Sequence, residues 1–264
     1  MPTFRTQVVA RSREITALRA VCDGCDAARP HDEHVCESAL WLVTAGAFVM
    51  RDRRGAHVLD PTRAIALAAG ESFTIRHPSG PDTCIALRGS LVDDLLGDDP
   101  RLIDLDAHTH ARIVAAVAAC RRGDGDALAI ADSLASLDRA RPRANDSLAS
   151  LDRARPRAND NELARALAYQ LQLSFAEPVS VAALCDAVGT SIFHACRVFR
   201  RATGETLHGY RRRLRVRHAL ALLVDSDASI ADIAAQTGFA SQSHLTNVFR
   251  AELGTTPGRA RRRR

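Results

Sequence analysis

The chain contains no lysine; all 36 of its basic residues are arginine. With the abundant alanine, this points to a GC-rich coding bias, so a single arginine carries less functional weight than usual. No apolar run reaches the roughly 18 residues of a membrane-spanning helix. The opening stretch, MPTFRTQVVARSREI, lacks the apolar core of a secretory signal. A soluble, cytoplasmic protein without membrane contact is therefore expected. Seven cysteines, an odd number, argue against a disulfide framework in such a chain. Apolar residues are not scarce: at 46% they exclude a disordered or collagen-like chain.

The 264 residues suffice for two domains of about 100–150 residues. Charge divides unevenly between them. Residues 1–160 hold 21 Arg against 23 Asp and Glu, a net of −2, whereas residues 161–264 hold 15 Arg against 8, a net of +7. An acidic first part joined to a basic second part suggests a regulatory body with a nucleic-acid-binding end.

Residues 3–90 read as short β segments separated by turns, among them Ala39–Met50, Ala64–Ala68 and Ser72–Arg76. Turn spacing of this kind suits an antiparallel barrel or sandwich. After Pro100 the pattern becomes helical. Ala107–Arg122 carries Ile113, Val114 and Val117 on one stripe and ends at Gly123. That stripe has no evident partner in its own helix pair and is expected to serve a homodimer. A second helix follows from Asp126 to near Leu137. The stretch DSLASLDRARPRAN then occurs twice in tandem, at Asp132–Asn145 and Asp146–Asn159. Two copies do not make a solenoid, and Pro142 and Pro156 break helices, so a lengthened, partly helical linker is expected. Asn161–Phe175 is helical again.

Two similar units occupy the basic part. In VSVAALCDAVGTSIFHACRVFRRATG (residues 179–204), Val181, Leu184, Cys185 and Val188 form one apolar helical face. Ser180 suits the N-cap and Gly189 the turn. Ala195, Val198 and Phe199 face inward on the following helix, and Gly204 stops it. In SIADIAAQTGFASQSHLTNVFRAELG (residues 229–254) the same order returns. Ser229 caps, Gly238 turns, Leu245, Val248, Phe249 and Leu253 line the second helix, and Gly254 stops it. Helix, glycine turn, helix is the helix-turn-helix signature. Between the units, LHGYRRRLRVRHALALLV (Leu207–Val224) is a basic amphipathic helix. A connector of that length suits two recognition helices in successive major grooves, about 34 Å apart.

Residues from about 175 to 260 resemble the AraC/XylS family of bacterial transcription regulators. The resemblance lies in Ser191, Arg197, Phe199 and Gly204 of the first unit and in Tyr210, Arg215, Ala219, Leu222 and Leu223 of the connector. In the second unit it lies in Ile233, Ala234, Gly238, Phe239, Ser241, Phe249, Gly254 and Pro257. Three places depart from the family pattern. Ala195 replaces the usual Leu, His244-Leu245 stands where an aromatic is frequent, and Arg259-Ala260 replaces Tyr-Arg.

The resemblance implies that each second helix enters a major groove of double-stranded DNA. On the first, Phe193, His194, Cys196 and Arg197 are then exposed. Arg197 suits bidentate reading of guanine, and Phe193 either packs on a thymine methyl or belongs to the core. On the second, Gln242, Ser243, His244 and Asn247 are exposed, with Gln242 and Asn247 suited to adenine. Arg200, Arg201, Arg211, Arg212, Arg250 and the Arg261–Arg264 tail either touch phosphates or raise the local potential.

The first part resembles the cupin-like sensor common at the N-terminus of this family, notably in AGESFTIRHPSGPDTCIALR (Ala69–Arg88). The expected fold is therefore α+β and multidomain. Residues 1–100 form an antiparallel cupin-like β-barrel, residues 101–172 form linker and dimerisation helices, and residues 173–264 form an all-α domain of two helix-turn-helix units. The expected function is that of a DNA-binding regulator, not an enzyme. Its sensor answers to a small molecule or metal, and its partners are RNA polymerase and a second copy of the chain.

One motif stands apart. Cys22, Cys25, His31, His34 and Cys36 lie within fifteen residues of an acidic, loop-like stretch. Thiolates and imidazoles suit zinc or copper(I), and Cys-x2-Cys is also a redox spacing. Metal binding, thiol-redox sensing and no special role all remain open from the residues. His31, His34 and Glu37 do not fit the His-x-His metal motif of a cupin, which argues against a catalytic cupin. The methyl-transferring DNA-repair regulators that share this DNA-binding domain use a four-cysteine zinc site, whereas only three cysteines precede residue 84 here.

Overall fold

A computed structural model describes residues 4–22, 30–53, 55–77, 82–96, 101–139 and 158–262. The first part is built from β1 (Phe4–Arg11), β2 (Thr16–Cys22), β3 (His31–His34), β4 (Ala39–Ala45), β5 (Phe48–Asp52), β6 (Gly55–Leu59), β7 (Arg63–Leu67), β8 (Ser72–Arg76), β9 (Asp82–Arg88) and β10 (Arg101–Asp104), with α1 (Ser90–Leu96) before the last strand. They pair antiparallel in two sheets, ordered β1-β2-β9-β4-β7-β10 and β3-β8-β5-β6. The expected barrel does not close, because each sheet ends in free edges.

The central strands are covered on both faces. Leu40 and Leu42 of β4, Ala64 and Ala66 of β7, and Ile85 and Leu87 of β9 pack toward helices. Their neighbours Val43, Ile65, Leu67 and Cys84 pack toward the second sheet. Double burial is why Ala39–Ala45 reads as one apolar run instead of an alternation. The run Ala39–Met50 is not one strand, however. It breaks at Gly46, whose φ of 76° turns the chain from the larger sheet into the smaller. The sheet also extends past residue 100, since Arg101–Asp104 pairs with β7.

Two helices lie on the outer face of the larger sheet: α2 (Ala107–Arg122), capped by Asp106 and stopped by left-handed Gly123, and α3 (Ala127–Arg139). The stripe on α2 is used inside the chain. Ile113 and Val117 pack on the sheet, while Val114 packs against the second half of the molecule. Positions i, i+1 and i+4 span an arc wide enough to touch two neighbours. The expectation that this stripe is a dimer face is thereby corrected. The first repeat copy supplies the end of α3, with Leu134 in the core. Residues 140–157, and with them the linker expected there, lie outside the described residues.

The helical part comprises α4 (Ala158–Leu173), α5 (Val181–Ala187), α6 (Ile192–Thr203), α7 (Leu207–Asp225), α8 (Ile230–Gln236), α9 (Gln242–Leu253) and α10 (Pro257–Arg262). One core joins α4 to the first unit through Leu167, Leu171, Leu184, Val198 and Phe199. Another joins α2 to the second unit through Val114, Ala118, Leu223, Ile233, Leu245 and Phe249. Among the described residues no single helix is long and apolar enough to cross a membrane.

Candidate functional site

The two units are built alike from local sequence. The hydroxyl of Ser191 accepts from the amide of His194 at 3.3 Å, and that of Ser241 accepts from the amide of His244 at 3.1 Å. Each cap satisfies an orphan donor at the start of the unit's second helix. Gly204 and Gly254 end those helices in the left-handed conformation. Gly238 is needed for a further reason: its φ is 76°, and a Cβ there would meet the carbonyl oxygen of Ala176 at 2.2 Å.

On α6 the inward face, Ala195, Val198 and Phe199, is fully buried. The outward face carries Phe193, Cys196, Arg197 and Arg200, with His194 half-buried. Phe193 is 82% exposed, which rules out its core reading. Arg197 leans on His194, with 3.2 Å between guanidinium and Nδ1. On α9, Gln242, Ser243, His244, Asn247 and Arg250 are exposed, and Leu245 and Phe249 are buried. The His244 ring stands edge-on to Phe239 at 5.3 Å, so an aromatic contact persists where the family pattern expects an aromatic residue.

The arginines separate into two kinds. Arg200 and Arg250 are exposed. Arg201 is paired with Asp160, Arg213 with Glu205, and Arg212 with Glu252 at 2.8 Å. Arg211 and Arg215 donate to the carbonyls of Val179 and Phe175, each at 2.6 Å. Arg261 donates to Ala228 at 2.5 Å, and Arg263 and Arg264 lie outside the described residues. Most of the basic connector thus braces its own domain.

A buried polar bridge ties α7 to the sheets. The Tyr210 hydroxyl donates to Asp60, whose other oxygen accepts from the amide and hydroxyl of Thr62 at 2.8 and 2.6 Å. Burial pushes the Tyr210 phenol well up, and the neighbouring Asp60 adds to this. Arg217, 1% exposed, donates to the carbonyls of Pro61 at 2.8 Å and Leu105 at 2.5 Å. Burial lowers its pKa to about 10. His218 stacks on Phe175 at 4.1 Å and accepts from the Gln172 amide, which also reaches the Gly46 carbonyl. Burial lowers the His218 pKa to about 4, as expected of an imidazole kept neutral. From the sequence, Arg217 had no role beyond its place in a basic amphipathic helix. A signal was present: Tyr210, Leu214, Arg217, Ala221 and Val224 follow three-four spacing, placing Arg217 within an apolar stripe.

A cavity of about 250 Å³ lies between the two sheets, lined among others by Trp41, Phe48, Phe73, His77, Asp82 and Cys84. His77 Nδ1 is hydrogen-bonded to Asp82, and the Cys84 thiol donates to the other Asp82 oxygen at 3.6 Å. Burial, then Asp82, pushes the Cys84 thiol well up, so it stays protonated and unreactive.

Of the cysteine–histidine group, His31, His34 and Cys36 line the cavity between the sheets. His31–His34 is a strand, not a loop, so residues three apart point to opposite faces. His31 accordingly meets Glu33 and stacks on His77 at 5.6 Å, whereas His34 meets Ser72 at 3.0 Å. Cys22 is buried at the end of β2, Cys36 is exposed, and Cys25 lies outside the described residues. Among the described residues, no three His, Cys, Asp or Glu side chains are placed to hold a metal.

A helix-turn-helix domain model matches residues 184–263. The chain is 36% identical over 98 residues to the HTH-type transcriptional regulator GlxA of Rhizobium meliloti, covering 37% of this chain and 30% of that protein. It is 35% identical over 101 residues to the probable transcription factor PqrA of Proteus vulgaris, covering 38% of this chain and 81% of PqrA. The chain belongs to the AraC/XylS family of transcription regulators. The solved structure of ToxT from Vibrio cholerae aligns with 96% of this chain and 98% of its own at a TM-score of 0.38 and 14% identity. The chain spans about a third of the length of the first full-length regulators it matches, at 30% of GlxA.

As a member of this family the chain keeps the expected elements where its residues depart. Ala195 is buried at 0% exposure despite its small side chain. The final helix forms without the Tyr-Arg pair, with Pro257 buried and Ala260 against the second core.

Proposed function

We propose that the chain is a sequence-specific, double-stranded-DNA-binding transcription regulator whose β-rich half senses a small molecule held between its two sheets. The observation that carries this is the pair of matched recognition helices. Each is capped by serine, sealed on its inner face and open on an outer face with groove-reading chemistry. Phe193, Cys196 and Arg197 present it on one, and Gln242, Ser243 and Asn247 on the other. The unbroken connector α7, of 19 residues, is about 28 Å long and suits spacing close to one turn of DNA. Activation through RNA polymerase, a homodimer and a cytoplasmic location belong to the same family-based reading, with the dimer face elsewhere than the α2 stripe.

The test is selection of bound duplexes from a random library by the full chain, followed by titration against salt. Affinity for the selected duplex should fall steeply as salt rises, because phosphate contacts release counterions. Arg197→Ala should weaken binding by about 1–3 kcal/mol and relax preference at one base pair. Failure to enrich any sequence, or an Arg197→Ala variant with unchanged preference, refutes the assignment.

A further inference from the structure

The cavity between the sheets has a definite chemical character, and this inference rests on the sensor reading above. Its size comes first. An apolar cavity of roughly 150 Å³ takes benzene, so a cavity of about 250 Å³ holds a molecule of about ten non-hydrogen atoms. That is smaller than a drug-sized ligand.

Shape follows from the walls. Trp41, Phe48 and Phe73 present rings. At one end the His31 and His77 rings lie stacked at 5.6 Å and 10°, with Phe48 tilted against His77 at 5.9 Å. Ring-lined walls favour a flat π partner, since offset and edge-on contacts add to simple burial.

Charge narrows the choice further. The lining acids are Glu33, Glu37 and Asp82 against one arginine, Arg88, which is itself paired with Glu37 at 3.4 Å. That balance opposes an anion. Glu33 and Glu37 are open to solvent, with side chains 47% and 70% exposed, so the buried carboxylate available to a cation is Asp82, and both its oxygens are already taken by His77 and Cys84. An uncharged molecule remains.

His77 is the buried polar anchor at the ring-lined end. Asp82 occupies Nδ1 of the buried His77 ring, which leaves Nε2 as its other polar atom. A hydroxyl meets Nε2 in either protonation state, since it both donates and accepts. The geometry points to a small uncharged aromatic alcohol, of the phenol class, as the ligand of this cavity, anchored through its hydroxyl to His77.

Trp41 is the single tryptophan of the chain and lines the cavity, so its emission reports occupancy directly. The full chain is titrated with four probes of similar size, followed by Trp41 emission and calorimetry. The probes are para-ethylphenol, para-ethyltoluene (no hydroxyl), para-ethylbenzoate (anionic) and ethylcyclohexanol (not flat). Para-ethylphenol should bind saturably at one site per chain, about tenfold or more tighter than each of the others. His77→Phe should erase its advantage over para-ethyltoluene while para-ethyltoluene still binds. Where that variant does not fold, the ranking on the unaltered chain decides alone. Equal or tighter binding of para-ethylbenzoate or ethylcyclohexanol overturns the proposal, as does no saturable response to para-ethylphenol up to about 1 mM. Binding of para-ethylphenol that leaves affinity for the selected duplex unchanged upholds the ligand class and defeats the sensor reading. Intact duplex binding with no response to para-ethylphenol defeats the ligand class alone.

Discussion

The two helix-turn-helix units are near copies in local design and unlike in their surroundings. Both start a recognition helix at a serine cap, bury a phenylalanine (Phe199 or Phe249) and stop at a left-handed glycine. The first unit packs with α4, whereas the second shares a core with α2, a helix lying on the β-rich half. Their outer faces differ too: α6 presents Phe193 with Arg197 and Arg200, whereas α9 presents Gln242, Ser243, His244 and Asn247 with the single cation Arg250. Equal local signals thus produce equal folds, and the neighbours decide how each unit meets the β-rich half: the second through the shared core with α2, the first through Tyr210 and Gln172. Val114 and Ala118 of α2 are the buried residues that touch the second unit's core. Asp60, Pro61 and Leu105 are the groups that hold the connector.

The sharpest way to break this comparison is to empty each core in turn. Phe199→Ala and Phe249→Ala should each cost about 3–5 kcal/mol, as large-to-small changes in a buried core do. Only Phe249→Ala should also loosen α2, read as lost amide hydrogen-exchange protection across Ala107–Arg122. Equal loss in both variants would mean that the units are coupled to the sensor alike.

Acid should act next most strongly. His218 has a native pKa of about 4 against about 6.5 in an unfolded chain. The unfolded chain therefore takes up the proton first, and stability falls with pH from about 6.5 down to about 4. At pH 5 this single group accounts for about 2 kcal/mol. Denaturant titrations of the parent and of His218→Gln at pH 7 and 5 read the difference. An equally pH-sensitive variant would place the effect elsewhere, His110 being the other buried histidine whose pKa burial depresses.

The smallest effect is expected from removing one repeat copy, residues 146–159. The deletion restores the same Arg-Ala-Asn-Asp sequence ahead of α4 and shortens the connection from α3, so loop entropy changes by only about 1 kcal/mol. Thermal melting should barely move. Loss of soluble protein would instead give the duplicated copy a structural part.

Much of the candidate interface was legible because caps, turns and apolar periodicity act over four or five residues. Ser180, Ser191, Ser229, Gly204 and Gly254 all sit where local physics places them. The strand His31–His34 was not legible. It is a polar edge strand whose backbone pairing with β8, and not its side chains, makes it extended. Of the five cysteines and histidines grouped from the sequence, His31, His34 and Cys36 line one cavity, Cys22 is buried in β2, and Cys25 lies outside the described residues.

The sequence by itself determined the helix-turn-helix pair, the helical stretches that precede it and the β character of the first half. Their signals are short-ranged: a capping hydroxyl, a glycine that tolerates positive φ, an apolar residue every three or four positions. Only the tertiary structure decided which carbonyls Arg217 meets, that Ile113 and Val114 face different neighbours, and that His77 and Asp82 meet beside Trp41. Each of these depends on which distant segment supplies the partner. A buried guanidinium is tolerable only because the carbonyls of Pro61 and Leu105 are brought to it, and nothing within one helix can specify that.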